Sequence, residues 1–170
     1  MKIAGKTQVR HEGGPIHPPI ASITDALTFR LARLVAVNDR AGSEHFRREF
    51  GLKLTEWRVL GLTCALEPAS FHEIRKALVM DKGQLSRTVK ALVARGLIAT
   101  APSDEDARSI VLRSTGAGRA LHDEVLAFTS VRNEIVVAPL SADECAEFLR
   151  LLGKISAHNE DLAVLSGHLA

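Results

Sequence analysis

Hydrophobic side chains recur every three or four residues through most of the chain, which is the spacing of one face of an α-helix. The apolar positions in the first such stretch, residues 22–50, are Ile23, Leu27, Leu31, Leu34 and Val35. This pattern predicts a long first helix, and Gly51 is its expected end because glycine readily adopts the backbone conformation that terminates helices.

Capping sequences indicate where later helices begin. Ser70 with Glu73, and Ser141 with Glu144, have the spacing of capping boxes, in which the serine oxygen and the glutamate carboxylate satisfy free N–H groups of the first turn. Asp81 and Thr115 are suited to cap two further helices. The helix after Asp81 is predicted to end at Gly96 and to bury four apolar side chains, Leu85, Val89, Leu92 and Val93.

Two short runs, Ile98–Thr100 and Ser109–Arg113, have the composition of β-strands and are joined by an acidic loop. The predicted order is therefore four helices, two strands and two helices. Two short helices followed by a hairpin are typical of a winged helix-turn-helix, so the fold class is mainly α with a small β-wing. The long flanking helices carry more apolar surface than this middle module can cover, and pairing with a second copy is the simplest way to bury it.

The outward face of the helix Lys82–Arg95 has the chemistry of a DNA-reading surface. This helix contains four basic residues and no acid. Arg87 can bond guanine O6 and N7 in bidentate fashion, and Gln84 can pair with adenine. Lys82, Ser86 and Lys90 suit phosphate oxygens. An ordinary solvated basic face would explain these residues by themselves, but a capped helix before them and a hairpin after them favour DNA binding.

Three segments within residues 54–121 together resemble the MarR family of transcriptional regulators: "LTEWRVL", "DKGQLSRTVKALVARGLI" and "DARSIVLRSTGAG". The resemblance implies a homodimeric winged-helix repressor, less often an activator, that binds a palindromic site in double-stranded DNA. It implies release by a small-molecule effector such as an aromatic acid, or by oxidation or a metal. The resemblance implies a helical dimerisation region at 21–51 and 115–170 and a winged-helix DNA-binding domain at 52–114. Residues 1–20 stand outside the resemblance, and their Gly, Pro and His content predicts a mobile arm before the fold begins.

The acidic loop "PSDEDARS" occupies the position of the wing tip in this resemblance. Asp106-Ala-Arg108 matches the family's Asp-x-Arg pattern, which implies that Arg108 contacts DNA and that Asp106 supports the wing. Arginine is favoured in a narrow minor groove by the negative potential there. A carboxylate two residues away can hold the guanidinium in place.

Composition limits the remaining function classes. The net charge of +2 is too small to indicate nucleic-acid binding by itself. The chain has no Gly-rich phosphate loop, nucleophile elbow or paired-carboxylate motif, so no enzyme activity and no cofactor are predicted. Its seven histidines lack compact ligand spacing, so no metal ligand is assigned.

Cys64 and Cys145 lie in apolar helical patterns and are expected to be buried free thiols. No apolar run approaches the roughly 18–20 residues that a membrane span needs, and the first 20 residues lack the apolar segment of a signal peptide. A cytoplasmic protein without a membrane partner is therefore expected. A winged-helix protein-interaction module and a metal- or redox-responsive regulator stay open as alternatives, and no residue is assigned to effector binding.

Overall fold

A computed structural model describes residues 17–103 and 109–167 of the chain, with side-chain environments as far as residue 160. The six helices are α1 (Leu27–Phe50), α2 (Leu54–Ala65), α3 (Phe71–Leu78), α4 (Lys82–Ala94), α5 (Gly116–Val137) and α6 (Ala142–Gly167). The three strands are β1 (Ala69–Ser70), β2 (Ile98–Pro102) and β3 (Ile110–Ser114). The chain separates into two compact units, Met1–Leu54 and Thr55–Ala170. The mainly α winged-helix architecture predicted from the sequence is confirmed.

The first unit contains α1, which begins later than the apolar periodicity predicts. Ser22 caps a separate 3-10 turn, Ile23–Asp25, and the Asp25 carboxylate accepts the Ser22 N–H at 2.8 Å. Ala26 is extended, with φ −66° and ψ 128°, so the α-helix begins only at Leu27. The predicted end is confirmed, because Gly51 has a left-handed backbone with φ 61°. A local capping box thus shortens a helix that periodicity alone extends.

The capping residues predicted for the second unit occupy their expected positions. Ser70 accepts the Glu73 N–H at 3.1 Å, and the Glu73 carboxylate accepts the Ser70 N–H at 2.9 Å. Hydrogen bonding with Ser70, chiefly with its side chain and then with its backbone N–H, lowers the pKa of Glu73, so the negative charge of Glu73 stabilises the first turn of α3. Asp81 caps α4, and Thr115 caps α5. Each of these contacts joins residues close in sequence, which is why local motifs predict them.

The sheet has one more strand than the sequence predicts. β3 lies in the middle and pairs antiparallel with both β1 and β2, and the short strand β1 places Ala69 opposite Leu112. The core under this sheet and the helices is aliphatic, as the low aromatic content requires. Its fully buried members in the second unit include Val59, Leu60, Ala69, Ile74, Leu85, Leu92, Leu112 and Val125.

The last helix, α6, buries almost none of its surface between residues 142 and 160 against the described part of the chain. Between residues 142 and 160 only Cys145 and Leu152 are half-buried, and the other side chains are exposed. Phe148, Leu149 and Ile155, which have the spacing of one face of a helix, are 42 %, 59 % and 40 % exposed. On α5 the same holds for Ile135, which is 69 % exposed. Periodicity identifies these apolar faces correctly, but the residues that the structure describes do not cover them.

No helix in the described part of the chain is long and apolar enough to cross a membrane by itself. α5 and residues Ala142–Glu160 of α6 satisfy the length and composition test only as a pair, and that pair is bent by 103°.

Candidate nucleic-acid interface

The helix α4 is fixed to the protein by one face and by its N-terminal cap. Asp81 Oδ1 accepts the Gln84 N–H at 2.8 Å, which satisfies a free donor of the first turn. Leu85 and Leu92 are fully buried and Val89 is 7 % exposed, as predicted. Val93, which was also expected to be buried, is 39 % exposed because it lies toward the edge of the packed face. The opposite face of α4 is thereby held toward solvent.

The predicted basic residues of α4 lie on that opposite face. Lys82, Arg87 and Lys90 are exposed, and Gln84 and Ser86 are half-buried beside them. Within the described part of the chain, the three cationic side chains form no ion pair. This differs from the pairing of other arginines, namely Arg30, Arg48, Arg95, Arg119 and Arg150. The α4 cations are therefore available to external anions without first breaking such a contact.

Gly83 leaves one position in the first turn of α4 without a side chain. A methyl group added there would lie 3.3 Å from the Asp81 carboxylate and 3.5 Å from Arg87 Nη1. The Arg87 guanidinium therefore lies back along the helix toward its N-terminal end, over a position without a side chain. The small residue allows a backbone or base edge to approach this end of α4 closely.

The turn between α3 and α4 contains an unusual backbone conformation. Val79 has φ 48° and ψ 45°, and its side chain is 93 % exposed. This left-handed region is unfavourable for a β-branched residue, and no glycine indicated it in the sequence. The Val79 N–H donates to the Lys76 carbonyl at 3.2 Å, and the Met80 N–H to the Arg75 carbonyl at 3.1 Å. This tight turn fixes where α4 starts relative to α3.

The wing is described only in its stem. β2 and β3 pair from Ile98 opposite Ser114 to Pro102 opposite Ile110, and the Ser103 N–H donates to the Ser109 carbonyl at 2.8 Å. The predicted wing residues Asp106 and Arg108 lie outside the described residues. The stem confirms the two predicted strands, and it leaves the five residues 104–108 between its ends.

An ion pair between a shielded carboxylate and a partly exposed arginine supports the C-terminal end of α4, and sequence reasoning did not identify it. Arg95 Nη1 lies 3.3 Å from Glu56 Oε2, which joins the end of α4 to α2 across 39 positions of the chain. The Glu56 side chain is 10 % exposed. A carboxylate that is shielded in this way needs a cation with good geometry, and losing one partner would leave a buried charge. A glutamate within the apolar pattern of α2 was the available signal.

The first turn of α5 holds the same region from another side. The Thr115 N–H donates to the Leu97 carbonyl at 3.1 Å, and Thr115 Oγ1 donates to the Gly96 carbonyl at 2.6 Å. Gly118 is buried against Leu97. The end of α4 is therefore attached to both α2 and α5.

A second polar cluster joins the end of α2 to β3 and α5. Arg119 Nη2 donates to Glu67 Oε2 at 2.6 Å, and Ser114 Oγ donates to the same oxygen at 3.0 Å. The hydrogen bond from Arg119 is the main cause of the lowered pKa of Glu67.

Cys64 lies beside this cluster as a half-buried free thiol, and burial raises its pKa. A raised pKa disfavours the reactive thiolate. Cys145 is likewise free and half-buried rather than fully buried.

No group of three or more His, Cys, Asp and Glu side chains in the described residues could hold a metal ion.

Comparisons with known proteins converge on one family. A sequence profile described as the MarR family matches residues 50–109, which include α2, α3, α4 and the first strand of the wing, β2. The chain is 27 % identical over 135 residues to the uncharacterised HTH-type transcriptional regulator YkoM of Bacillus subtilis, covering 78 % of this chain and 88 % of YkoM. It is 31 % identical over 101 residues to the HTH-type transcriptional repressor NicR of Pseudomonas putida, covering 58 % of this chain and 64 % of NicR.

Solved structures show the same architecture. A MarR/EmrR family transcriptional regulator from Acinetobacter sp. ADP1 aligns with a TM-score of 0.72 and 25 % identity, covering 79 % of this chain and 94 % of that one. The PcaV transcriptional regulator from Streptomyces coelicolor, solved in complex with its natural ligand, aligns with a TM-score of 0.66 and 21 % identity. That alignment covers 82 % of this chain and 98 % of PcaV, and at this identity it supports the fold.

Proposed function

The chain belongs to the MarR family of winged helix-turn-helix transcriptional regulators, which are not enzymes, and from that premise we propose that it is a homodimeric repressor with a palindromic operator. The observation that carries the proposal is the α4 face, where Lys82, Arg87 and Lys90 are exposed and form no ion pair with described residues. The operator would contain two half-sites whose centres are about 34 Å apart, the repeat of successive major grooves on one side of B-DNA.

The proposed contacts follow from side-chain chemistry. Arg87 reads guanine and Gln84 reads adenine in the major groove. Lys82, Ser86 and Lys90 bind backbone phosphates and fix the register of the helix on the duplex. For the wing, which lies outside the described residues, the proposal keeps Arg108 as the minor-groove contact and Asp106 as its support.

Exposed apolar surface on the long helices supports the homodimer. Leu34 and Val35 on α1 are 50 % and 53 % exposed. On α5, Val131 is 61 % exposed, and Leu149 on α6 is 59 % exposed. Surfaces of this kind are typical of interfaces, and a two-fold pair would bury the same patches on both copies. Light scattering on the purified protein should give twice the chain mass of 18.4 kDa.

A small-molecule effector that lowers operator affinity completes the proposal, and an aromatic acid is the class to test first. The support is membership of a family in which effector control is general, and the solved complex of PcaV with its natural ligand. A coupling free energy of about 1–3 kcal/mol between the effector site and the DNA is sufficient for such control. The proposed location is the cytoplasm, where the chromosomal operator would be.

A gel-shift assay with the DNA upstream of the protein's own gene tests the function. We expect retardation that a scrambled duplex of the same composition does not compete away. Arg87→Ala should weaken operator binding by about 1–3 kcal/mol. The matched control is Arg48→Ala, which removes an exposed arginine that is paired with Glu49 on α1. A wild-type protein that shows no sequence-dependent retardation at any salt concentration would refute the proposal.

A further inference from the structure

A notch of about 400 Å³ with both polar and apolar walls opens beside the N-terminal end of α4. Three elements form it, namely the starts of α3, α4 and β3. The polar side chains that line it are Ser70, His72, Lys82, Ser86 and Ser109. Its apolar walls are Phe71 and Ile110, and Ile110 is 50 % exposed. The notch therefore combines basic and hydroxyl groups with two apolar surfaces next to the face that carries Arg87.

The charges around the notch favour an anion. His72 and Lys82 are exposed basic residues, and among the described residues no acidic side chain lines the notch. The two nearest acids in the sequence are already engaged at helix starts. Glu73 accepts the Ser70 N–H at 2.9 Å, and Asp81 accepts the Gln84 N–H at 2.8 Å. Neither His72 nor Lys82 forms an ion pair or a side-chain hydrogen bond with another described residue.

We propose that this notch holds one sugar–phosphate unit of the operator backbone, and that His72 and Lys82 bind the same phosphodiester group. This inference rests on the proposed function and adds a contact from α3, outside the recognition helix. Lys82 on α4 provides the charge, and the His72 imidazole on α3 provides a directional N–H donor. The Ser86 hydroxyl provides a further donor beside Lys82.

The apolar walls distinguish a nucleotide unit from a free anion. A free phosphate presents only polar oxygens, and it gains nothing from Phe71 or Ile110. A backbone phosphodiester carries a deoxyribose on each side, whose apolar ring face can pack on such side chains. Because the notch is assembled from three elements of the fold, occupancy also fixes the rotation of α4 on the duplex.

A double-mutant cycle on the full-length protein tests the shared phosphate. His72→Ala and Lys82→Ala should each weaken binding about fivefold, for operator and scrambled duplexes alike, because a phosphate contact carries no sequence information. If both side chains bind one phosphate, the double variant should be about as weak as Lys82→Ala alone rather than about 25-fold weaker. His72→Gln keeps a side-chain N–H donor and should recover most of the affinity. His158→Ala, an exposed histidine on α6, is the matched control and should leave affinity unchanged.

The outcomes of this experiment distinguish a failure of the notch assignment from a failure of the proposed function on which it rests. If wild-type protein retards the duplex and His72→Ala retards it equally well, the notch assignment is wrong and the proposed function stands. Losses that multiply in the double variant also overturn the shared phosphate. A wild-type protein that binds no duplex refutes the function and the notch together.

A third arm compares inorganic phosphate with sodium chloride at matched ionic strength. We expect phosphate to compete with the duplex no better than chloride does. If phosphate shifts the His72 ring resonances in the DNA-free protein while His72→Ala leaves duplex affinity intact, the notch is a free-anion site and the proposal is wrong.

Discussion

Gly118 should tolerate no side chain, although it lies in the first turn of a helix where alanine is normally preferred. A Cβ atom at this position would overlap the Leu97 carbonyl oxygen and would lie 2.8 Å from the Leu97 carbonyl carbon. These are backbone atoms, so no side-chain rotation can relieve the contact. Gly118→Ala must therefore push α5 away from the segment that follows α4.

The expected cost can be worked from the contacts that this displacement strains. Overpacking of a close contact costs about 1–3 kcal/mol. The Thr115 N–H and hydroxyl bind the carbonyls of Leu97 and Gly96 at 3.1 and 2.6 Å, and losing one such hydrogen bond costs about 1 kcal/mol. The higher helix propensity of alanine relative to glycine offsets at most about 1 kcal/mol of this cost. Because the last two contributions roughly offset each other, the net destabilisation should be about 1–3 kcal/mol.

Gly116 provides the control in the same helix turn. A Cβ atom there would meet nothing beyond its own helix within 4 Å in the described structure. Gly116→Ala should therefore leave stability unchanged or raise it by up to about 0.5 kcal/mol. Urea unfolding of both variants can be followed by the fluorescence of Trp57, the single tryptophan, and by circular dichroism. Protein concentration must be held constant, because the proposed dimer would make the midpoint concentration-dependent.

Alanine substitution at the two glycines must have different effects on stability, because only position 118 lies against the Leu97 backbone. Equal unfolding midpoints for Gly118→Ala and Gly116→Ala would refute the reasoning. A Gly118→Ala protein that remains folded should also bind operator DNA less tightly than Gly116→Ala, because the displaced segment follows directly on α4.

Three further predictions concern the turn, the Glu67 cluster and the α4 face. Val79→Gly should raise the free energy of unfolding by about 0.5–1 kcal/mol, because it relieves a left-handed β-branched residue whose side chain is 93 % exposed; a lower urea midpoint would contradict this. Glu67→Gln should destabilise the protein at pH 7, and the difference from wild type should close as pH falls below about 4.3, the ordinary carboxyl pKa, because the bond from Arg119 lowers the pKa of Glu67 in the folded state. A difference that is constant from pH 7 to pH 3 would exclude this linkage. Lys90→Ala should reduce the slope of log affinity against log salt by about one for operator and scrambled duplexes alike, and a loss confined to the operator would mean that Lys90 reads a base.

The sequence predicts those features that depend on neighbouring residues. Ser70 and Asp81 cap their helices as expected, because each binds an N–H three residues away. The β1 pairing of Ala69 with Leu112 was missed, since it joins segments far apart and involves only a two-residue strand. The left-handed turn at Val79 was missed for another reason, since no glycine or asparagine occupies that position.

The features of the candidate interface also separate into those that local sequence patterns predict and those that depend on distant segments. The helical period places Arg87 and Lys90 on the face opposite Leu85, and the structure agrees because that period is a property of the helix itself. The Glu56–Arg95 ion pair depends on how α2 meets the end of α4, which no local pattern contains. Ile135 shows a further limit, because periodicity indicates an apolar face without indicating whether the same chain covers it.

A small tilt of α4 about its C-terminal supports, in which the turn from α3 moves together with the helix, would displace the first turn of α4 by a larger distance. Its C-terminal end is attached to α2 through Arg95 and Glu56, and to α5 through the segment that Thr115 binds. The side chains proposed for DNA begin at the other end, with Lys82. A helix of 13 residues is about 20 Å long, so a tilt of about 5° at the supported end moves the first turn by about 1.7 Å. Hydrogen bonds to bases tolerate about 0.5 Å of variation in length, so such a tilt would break them. A ligand that shifts α5 relative to α2 enough to produce this tilt therefore needs no contact with α4 to change operator affinity.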